Sequence, residues 1–241
     1  MLAITNLIGN GCGYACITQP AQGAPAMRRL RQLALFAVVS QAVFLASAWL
    51  LPLASEYRLV GDNISELALG RYGWVLTAAF VISGLGVVGL AYAIYRLTSG
   101  ARGSMLGPLL IGIYGCGAVV VAIFPTDRID SRADVYSQSI VGWIHILTSV
   151  VCFLCVVIGM FVLTWTFSRL VRWRSLVVWS AILAGAALAL LFVQREGPWV
   201  GLLQRLLVTA VSGWLLLVAN RVRTIASTRR AVPGKDVSAS A

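Results

Sequence analysis

The sequence predicts an all-α, polytopic membrane bundle of six transmembrane helices with both termini cytoplasmic. Two compositional facts lead there. Of 241 residues, 59% are hydrophobic and 11% charged, where soluble domains run near ~45–50% and ~25%. Mean hydropathy is +0.88, which suits burial in lipid better than a globular core. The third observation is spatial. The apolar residues gather into six segments, each near the ~20 residues an α-helix needs to cross ~30 Å of hydrocarbon.

Residues 1–26 carry no charge and are rich in Gly, Pro and polar side chains. They lack the charged start and long apolar run of a signal peptide and read as a disordered tail. Met27 opens "MRRLRQLALF", a natural cytoplasmic lead into a first span and a second candidate start. The membrane domain is placed at 27–222. Its segments are 33–53, 72–95, 106–124, 140–167, 176–193 and 200–219. Unpaired backbone groups are costly in lipid, so each segment must be helical. The fourth is long enough to tilt. Ser83, Gly84, Gly86 and Gly89 thin one side of the second helix; Gly112, Gly115 and Gly117 thin the third. Ala181 and Gly185 form a small-xxx-small pair in the fifth. Residues 223–241 read as a disordered basic cytoplasmic tail.

The net charge is +11, and all basic residues but Lys235 are Arg. Most flank apolar segments. The N-terminal flank, the second-to-third and fourth-to-fifth connections and the C-terminal tail hold the majority, which marks that side as cytoplasmic. A nucleic-acid surface would need a soluble basic face, and none is present. Seven of the eight acids fall on the opposite side: Glu56, Asp62, Glu66, Asp127, Asp130, Asp134 and Glu196. Acids contribute little to topology, so this bias is a separate fact. The five cysteines form no disulfide or zinc spacing. Cys116, Cys152 and Cys155 fall in apolar segments, where Cys acts as a small hydrophobe.

Four polar groupings meet at the acidic edge. "GDNISELALGRYGW", Gly61 to Trp74, offers Asn63 as a helix cap with Glu66 reaching back. Asp62 and Glu66 share a face if that stretch is helical. At "FPTD", Pro125 stops the third helix, and Thr126 and Asp127 suit a turn. Asp130 and Asp134 read as solvated loop charges. In "GWIH", His145 lies about 9 Å along the helix from Ser139, at or below the headgroup boundary, and should face the interior with Thr148 and Cys152. In "GLLQR", Arg205 sits at least one turn into the sixth helix, with Asp127 and Glu66 as its expected partners.

These blocks, "ISELALGRYGW", "FPTD", "GWIH" and "GLLQR", resemble the bacterial and archaeal membrane family called domain of unknown function 998, over roughly residues 30–222. The resemblance implies a six-helix membrane protein. Matched residue by residue, it marks Ser65 and Glu66, Pro125 and Asp127, His145, and Gln204 with Arg205. It implies no activity.

The functional expectation is a polar pocket at the extracytoplasmic edge of a cell-membrane protein. Ser65, Glu66, Asp127, His145, Gln204 and Arg205 would line it, with Asp62, Asn63 and Thr126 in support. Its occupant would be a lipid head group, a small ligand or a membrane partner. The alternative is an intramembrane hydrolase using Ser65, Asp127 and His145, or a mixed metal site of Glu66, Asp127 and His145. A single histidine rules out a three-His zinc site within one subunit. The base expectation is no metal, and the sequence does not identify a cofactor. A transporter is a further alternative, although no inverted repeat or broken helix pair points to one.

Overall fold

A computed structural model describes residues 23–101, 103–128, 137–193 and 197–228. Six α-helices account for most of them: α1 Ala24–Leu50, α2 Gly73–Thr98, α3 Leu106–Ile123, α4 Ile140–Ser168, α5 Val177–Val193 and α6 Val200–Thr228. Short 3₁₀ turns occupy Leu51–Ala54, Ser65–Leu69 and Val171–Leu176. All six helices, two with their 3₁₀ extensions included, are long and apolar enough to cross a membrane.

Two expected boundaries move outward. Ala24 to Ala26, read as the end of a tail, open α1, where Pro25 fits the first turn. Residues 223–228, also read as tail, continue α6. In both cases the helix runs past the apolar segment that announced it. Cys12, Cys16, Asp130, Asp134 and Glu196 lie outside the described residues.

Sequential helices are neighbours, and α6 packs back on α1, closing a ring. This is an up-and-down order. One end of the bundle therefore collects the α1–α2, α3–α4 and α5–α6 connections, with Glu56, Asp62, Glu66 and Asp127. The other collects the helix ends bearing Arg28, Arg96, Arg169, Arg174 and Arg223. Exposed tryptophans mark both levels: Trp74, Trp143 and Trp199 near the acidic end, Trp165 and Trp179 near the basic end. Such belts suit the two membrane interfaces. Between them the outer surface is apolar; α4 alone exposes Leu147, Val150, Val151, Leu154 and Ile158.

Inside, small residues and hydroxyls do the joining. A Cβ on Gly84 would stand 2.5 Å from the Gly115 carbonyl, and one on Gly115 2.8 Å from that of Gly84. That contact draws α2 and α3 together. Gln41 of α1 donates to Ser83 Oγ at 2.7 Å and accepts from Ser212 Oγ at 3.0 Å, tying α1, α2 and α6. Trp214 Nε1 donates to Ser180 Oγ at 2.7 Å, and Ser180 meets Thr164 at 2.5 Å, tying α4, α5 and α6. The expected Ala181/Gly185 seam does not form. A Cβ on Gly185 would meet nothing within 4 Å; α5 instead packs through Ser180, Ala184 and Ala187.

Candidate functional site

Two prolines organise the acidic end. Pro52 follows the last turn of α1 and has no N–H to give the Ala48 carbonyl, its i−4 partner. The chain tightens into the 3₁₀ turn Leu51–Ala54. The stranded Ala48 carbonyl accepts a hydrogen bond from Arg205 Nε at 3.1 Å. Arg205 Nη1 donates to the Asp62 carbonyl at 2.8 Å and the Gly201 carbonyl at 3.0 Å. The side chain is 0% exposed, and Nη2 has no hydrogen-bond partner among the described residues. The hydrogen-bond acceptors of Arg205 are thus backbone carbonyls and not the Asp127 or Glu66 carboxylates expected, although Glu66 is near enough to act on it through space. The guanidinium is held at the negative end of the α1 dipole.

The rest of "GLLQR" serves the same joint. Gln204 Oε1 accepts from the Ile64 N–H at 2.6 Å. The Leu202 N–H donates to the Val60 carbonyl at 3.0 Å. At Gly201 a Cβ would overlap the Asp62 carbonyl. Contacts from Gly201, Leu202, Gln204 and Arg205 clamp the 58–66 loop onto the start of α6. On that loop, Asp62 pairs with Arg58, its Oδ2 accepting from the Arg58 N–H at 2.6 Å. Asn63 Nδ2 donates to Glu66 Oε1 at 2.7 Å. The expected capping box is therefore replaced by a side-chain pair: Ser65–Leu69 is a 3₁₀ turn with no side-chain cap. Asp62, which precedes it, does not share a helical face with Glu66. Burial raises the Tyr57 phenol above its ordinary pKa, with Glu66, Glu56 and Asp62 adding to the shift and Arg128 opposing it.

Pro125 repeats the theme at the end of α3. Its missing N–H strands the Val121 carbonyl, and the helix stops with the Phe124 N–H on Val120. His145 of α4 meets this end: its Nδ1 lies 2.8 Å from the Phe124 carbonyl, and the Val121 carbonyl faces the same imidazole. A carbonyl only accepts, so Nδ1 carries the proton. Asp127 is occupied nearby. Its Oδ2 accepts from the Ser139 N–H at 2.6 Å and its Oδ1 from Ser139 Oγ at 3.1 Å. Ser139 Oγ in turn caps α4 by accepting from the Gly142 N–H at 3.0 Å. A Cβ at Gly142 would collide with the Asp127 carboxylate, which explains the glycine of "GWIH". Thr126 is buried and donates to the Asp127 carbonyl at 3.1 Å.

Between the two joints lies a cavity of about 50 Å³. Its polar lining is Ser65, Ser83, Tyr114, His145, Ser149 and Gln204; Phe44, Phe80 and Phe153 supply aromatic walls. Of the six predicted site residues, Ser65, His145 and Gln204 are brought together here. Glu66, Asp127 and Arg205 are not among its lining. Among the described residues no three His, Cys, Asp or Glu side chains form a group able to hold a metal, so the mixed site of Glu66, Asp127 and His145 is not assembled. The sequence reading missed Ser83 and Ser149 in this role. A serine in an apolar helix reads as packing, and only its register relative to His145 (one turn from Ser149) hinted otherwise.

No curated protein and no solved structure matches the chain. The family model described as "Protein of unknown function (DUF998)" matches residues 37–221, a span that contains both proline joints and the cavity between them. The chain belongs to the DUF998 family.

Proposed function

We propose that this is a cell-membrane protein, both termini cytoplasmic, that binds a small neutral polar molecule, or the neutral polar part of a lipid, at its extracytoplasmic end. The observation that carries this reading is the convergence of Ser65, His145 and Gln204, from a loop and two helices, on one cavity with Ser83 and Ser149. Hydroxyls, an amide and an imidazole between aromatic walls suit a hydrogen-bonding, uncharged occupant. Asp62, Glu66, Asp127 and Arg205 of the same region are engaged in hydrogen bonds that hold its frame. The topology follows from the arginine excess at the end bearing the termini.

As it stands the cavity has room for one or two waters, at ~30 Å³ each. A larger occupant enters by displacing the 58–66 loop, which contributes Ile64 and Ser65 to the wall. Gln204 and Arg205 therefore hold the entry closed. The test compares small molecules extracted from wild-type protein and from Ser149→Leu, which fills the cavity, after purification from the same membranes. A species present at about one per wild-type chain and absent from the variant is expected. Identical extracts, with both proteins folded, contradict the proposal.

A hydrolytic reading rests on Ser65 and His145 sharing the cavity. The Phe124 carbonyl does the orienting work that a triad carboxylate would do, leaving Nε2 as the candidate basic nitrogen. Asp127 is not the third member, since both its oxygens are taken by Ser139, the residue that caps α4. Labelling of the protein by a fluorophosphonate, lost in Ser65→Ala, would favour this reading over plain binding.

A further inference from the structure

A second and much larger concavity lies on the outer surface. It is a groove of about 810 Å³ with α3 as its floor and α2 and α4 as its walls, within the ~300–1,000 Å³ of ordinary ligand sites. Its floor is low because Gly112, Cys116 and Gly117 face it. Its lining is apolar, from Val88 and Ala91 on α2 to Leu147 and Val151 on α4.

We propose that this groove holds one acyl chain of an anionic glycerophospholipid from the leaflet at the basic end. The groove runs along α3 from Met105 to Gly117, about 18 Å at ~1.5 Å per residue. It opens at the interface where α2 ends, and its floor stops six residues before Ile123, about 9 Å short of the acidic end. A groove of this length covers little more than half of the ~30 Å of hydrocarbon. A chain anchored at one interface needs a groove that ends inside the bilayer, as this one does.

The mouth supplies the head-group chemistry. Tyr92 and Tyr95 line the groove there, and Arg96 donates to the Tyr92 hydroxyl at 2.7 Å with its guanidinium 5.7 Å from the ring centroid. Arg169, stacked 4.3 Å from the Trp165 ring, lies at the basic end of α4 outside the groove lining and adds to the positive charge of that interface. Basic side chains on aromatic platforms at an interface suit a phosphate diester next to an apolar slot. At its blind end the groove reaches Gly117 and Cys152, which also line the polar cavity. A Cβ on Gly117 would collide with Cys152 Sγ, so a thin partition separates the two sites.

Native mass spectrometry of the full chain tests this, in micelles doped equally with dioleoyl phosphatidylglycerol and dioleoyl phosphatidylethanolamine. Wild type should retain one lipid, with phosphatidylglycerol favoured about fivefold, as expected for one arginine near a head group. Arg96→Gln should bind both lipids equally. Gly112→Leu should retain neither, and it should fold, since a Cβ there meets nothing closer than Ala91 Cβ at 3.8 Å. Circular dichroism and elution volume check that both variants stay folded. Lipid retention unchanged in Gly112→Leu would overturn the proposal. So would a wild-type dimer that Gly112→Leu dissociates, which would assign the groove to a second copy. Failure here leaves the polar-cavity reading standing, because Ser149→Leu acts on the other side of the partition.

Discussion

Pro52 and Pro125 pose the same problem at the same end of the bundle, and the chain answers it in two ways. Each proline removes the N–H that would close the last helical turn. At Pro52 the stranded carbonyl is taken by Arg205, a permanent cation with bonds to three carbonyls and no place in the cavity wall. At Pro125 the helix end is met by His145, which uses Nδ1 for the Phe124 carbonyl and lines the cavity as well. The difference separates a staple from a candidate ligand-binding group. A guanidinium held by three carbonyls has been committed to structure, whereas an imidazole fixed at one nitrogen is oriented for use at the other.

The largest effect should come from breaking the staple. Arg205→Met leaves the Ala48 and Asp62 carbonyls buried and unpaired, at about 1–3 kcal/mol each. Thermal unfolding in detergent should register the loss. Pro52→Ala in that background returns an N–H to Ala48 and should recover about 1 kcal/mol. If the double variant is no better than Arg205→Met, the proline account of Ala48 is wrong.

Next come the two glycines that admit close neighbours. Gly201→Val and Gly142→Val each force a side chain into a carbonyl or carboxylate and should cost about 1–3 kcal/mol by the same assay. Asp127→Ala removes the acceptor of the Ser139 N–H and should cost about 1 kcal/mol, in the range of helix-cap losses. His145→Phe should cost a similar amount of stability, for one lost hydrogen bond, yet abolish binding in the polar cavity. Retained binding would remove His145 from the site and collapse the contrast with Arg205. The smallest effect belongs to Asp62→Asn. Its partner Arg58 is 80% exposed, and such surface pairs contribute about 0–1 kcal/mol.

The helices were legible because lipid makes the apolar segments long and nearly unbroken. Their ends were less so, since Arg28 and Arg223 continue helices beyond the hydrocarbon, where hydropathy carries no signal. The polar residues of the site were legible as exceptions in a greasy chain. Their partners were not. Arg205, His145 and Gln204 bond to backbone groups of Ala48, Phe124 and Ile64, and a backbone carbonyl or amide leaves no letter in a sequence. Opposite charges invited a hydrogen-bonded pairing of Arg205 with Glu66 or Asp127, and its bonds go to backbone carbonyls instead. A usable clue was present in Pro52. A proline four residues after Ala48, at the end of an apolar helix, announces a carbonyl in need of a donor. Ser83 and Ser149 needed the assembled helices, because their joint register with Ser65 depends on how α2, α4 and the loop meet.

The staple is tested most directly by hydrogen exchange, read by mass spectrometry, on wild-type protein and Arg205→Met in the same detergent. The account predicts slow exchange across 58–66 in wild type, including the Ile64 amide held by Gln204. In Arg205→Met that loop should exchange much faster while peptides covering 124–128 and 139–145 stay unchanged. Equal exchange of 58–66 in both proteins, or a rise of the same size at both proline joints, would contradict it.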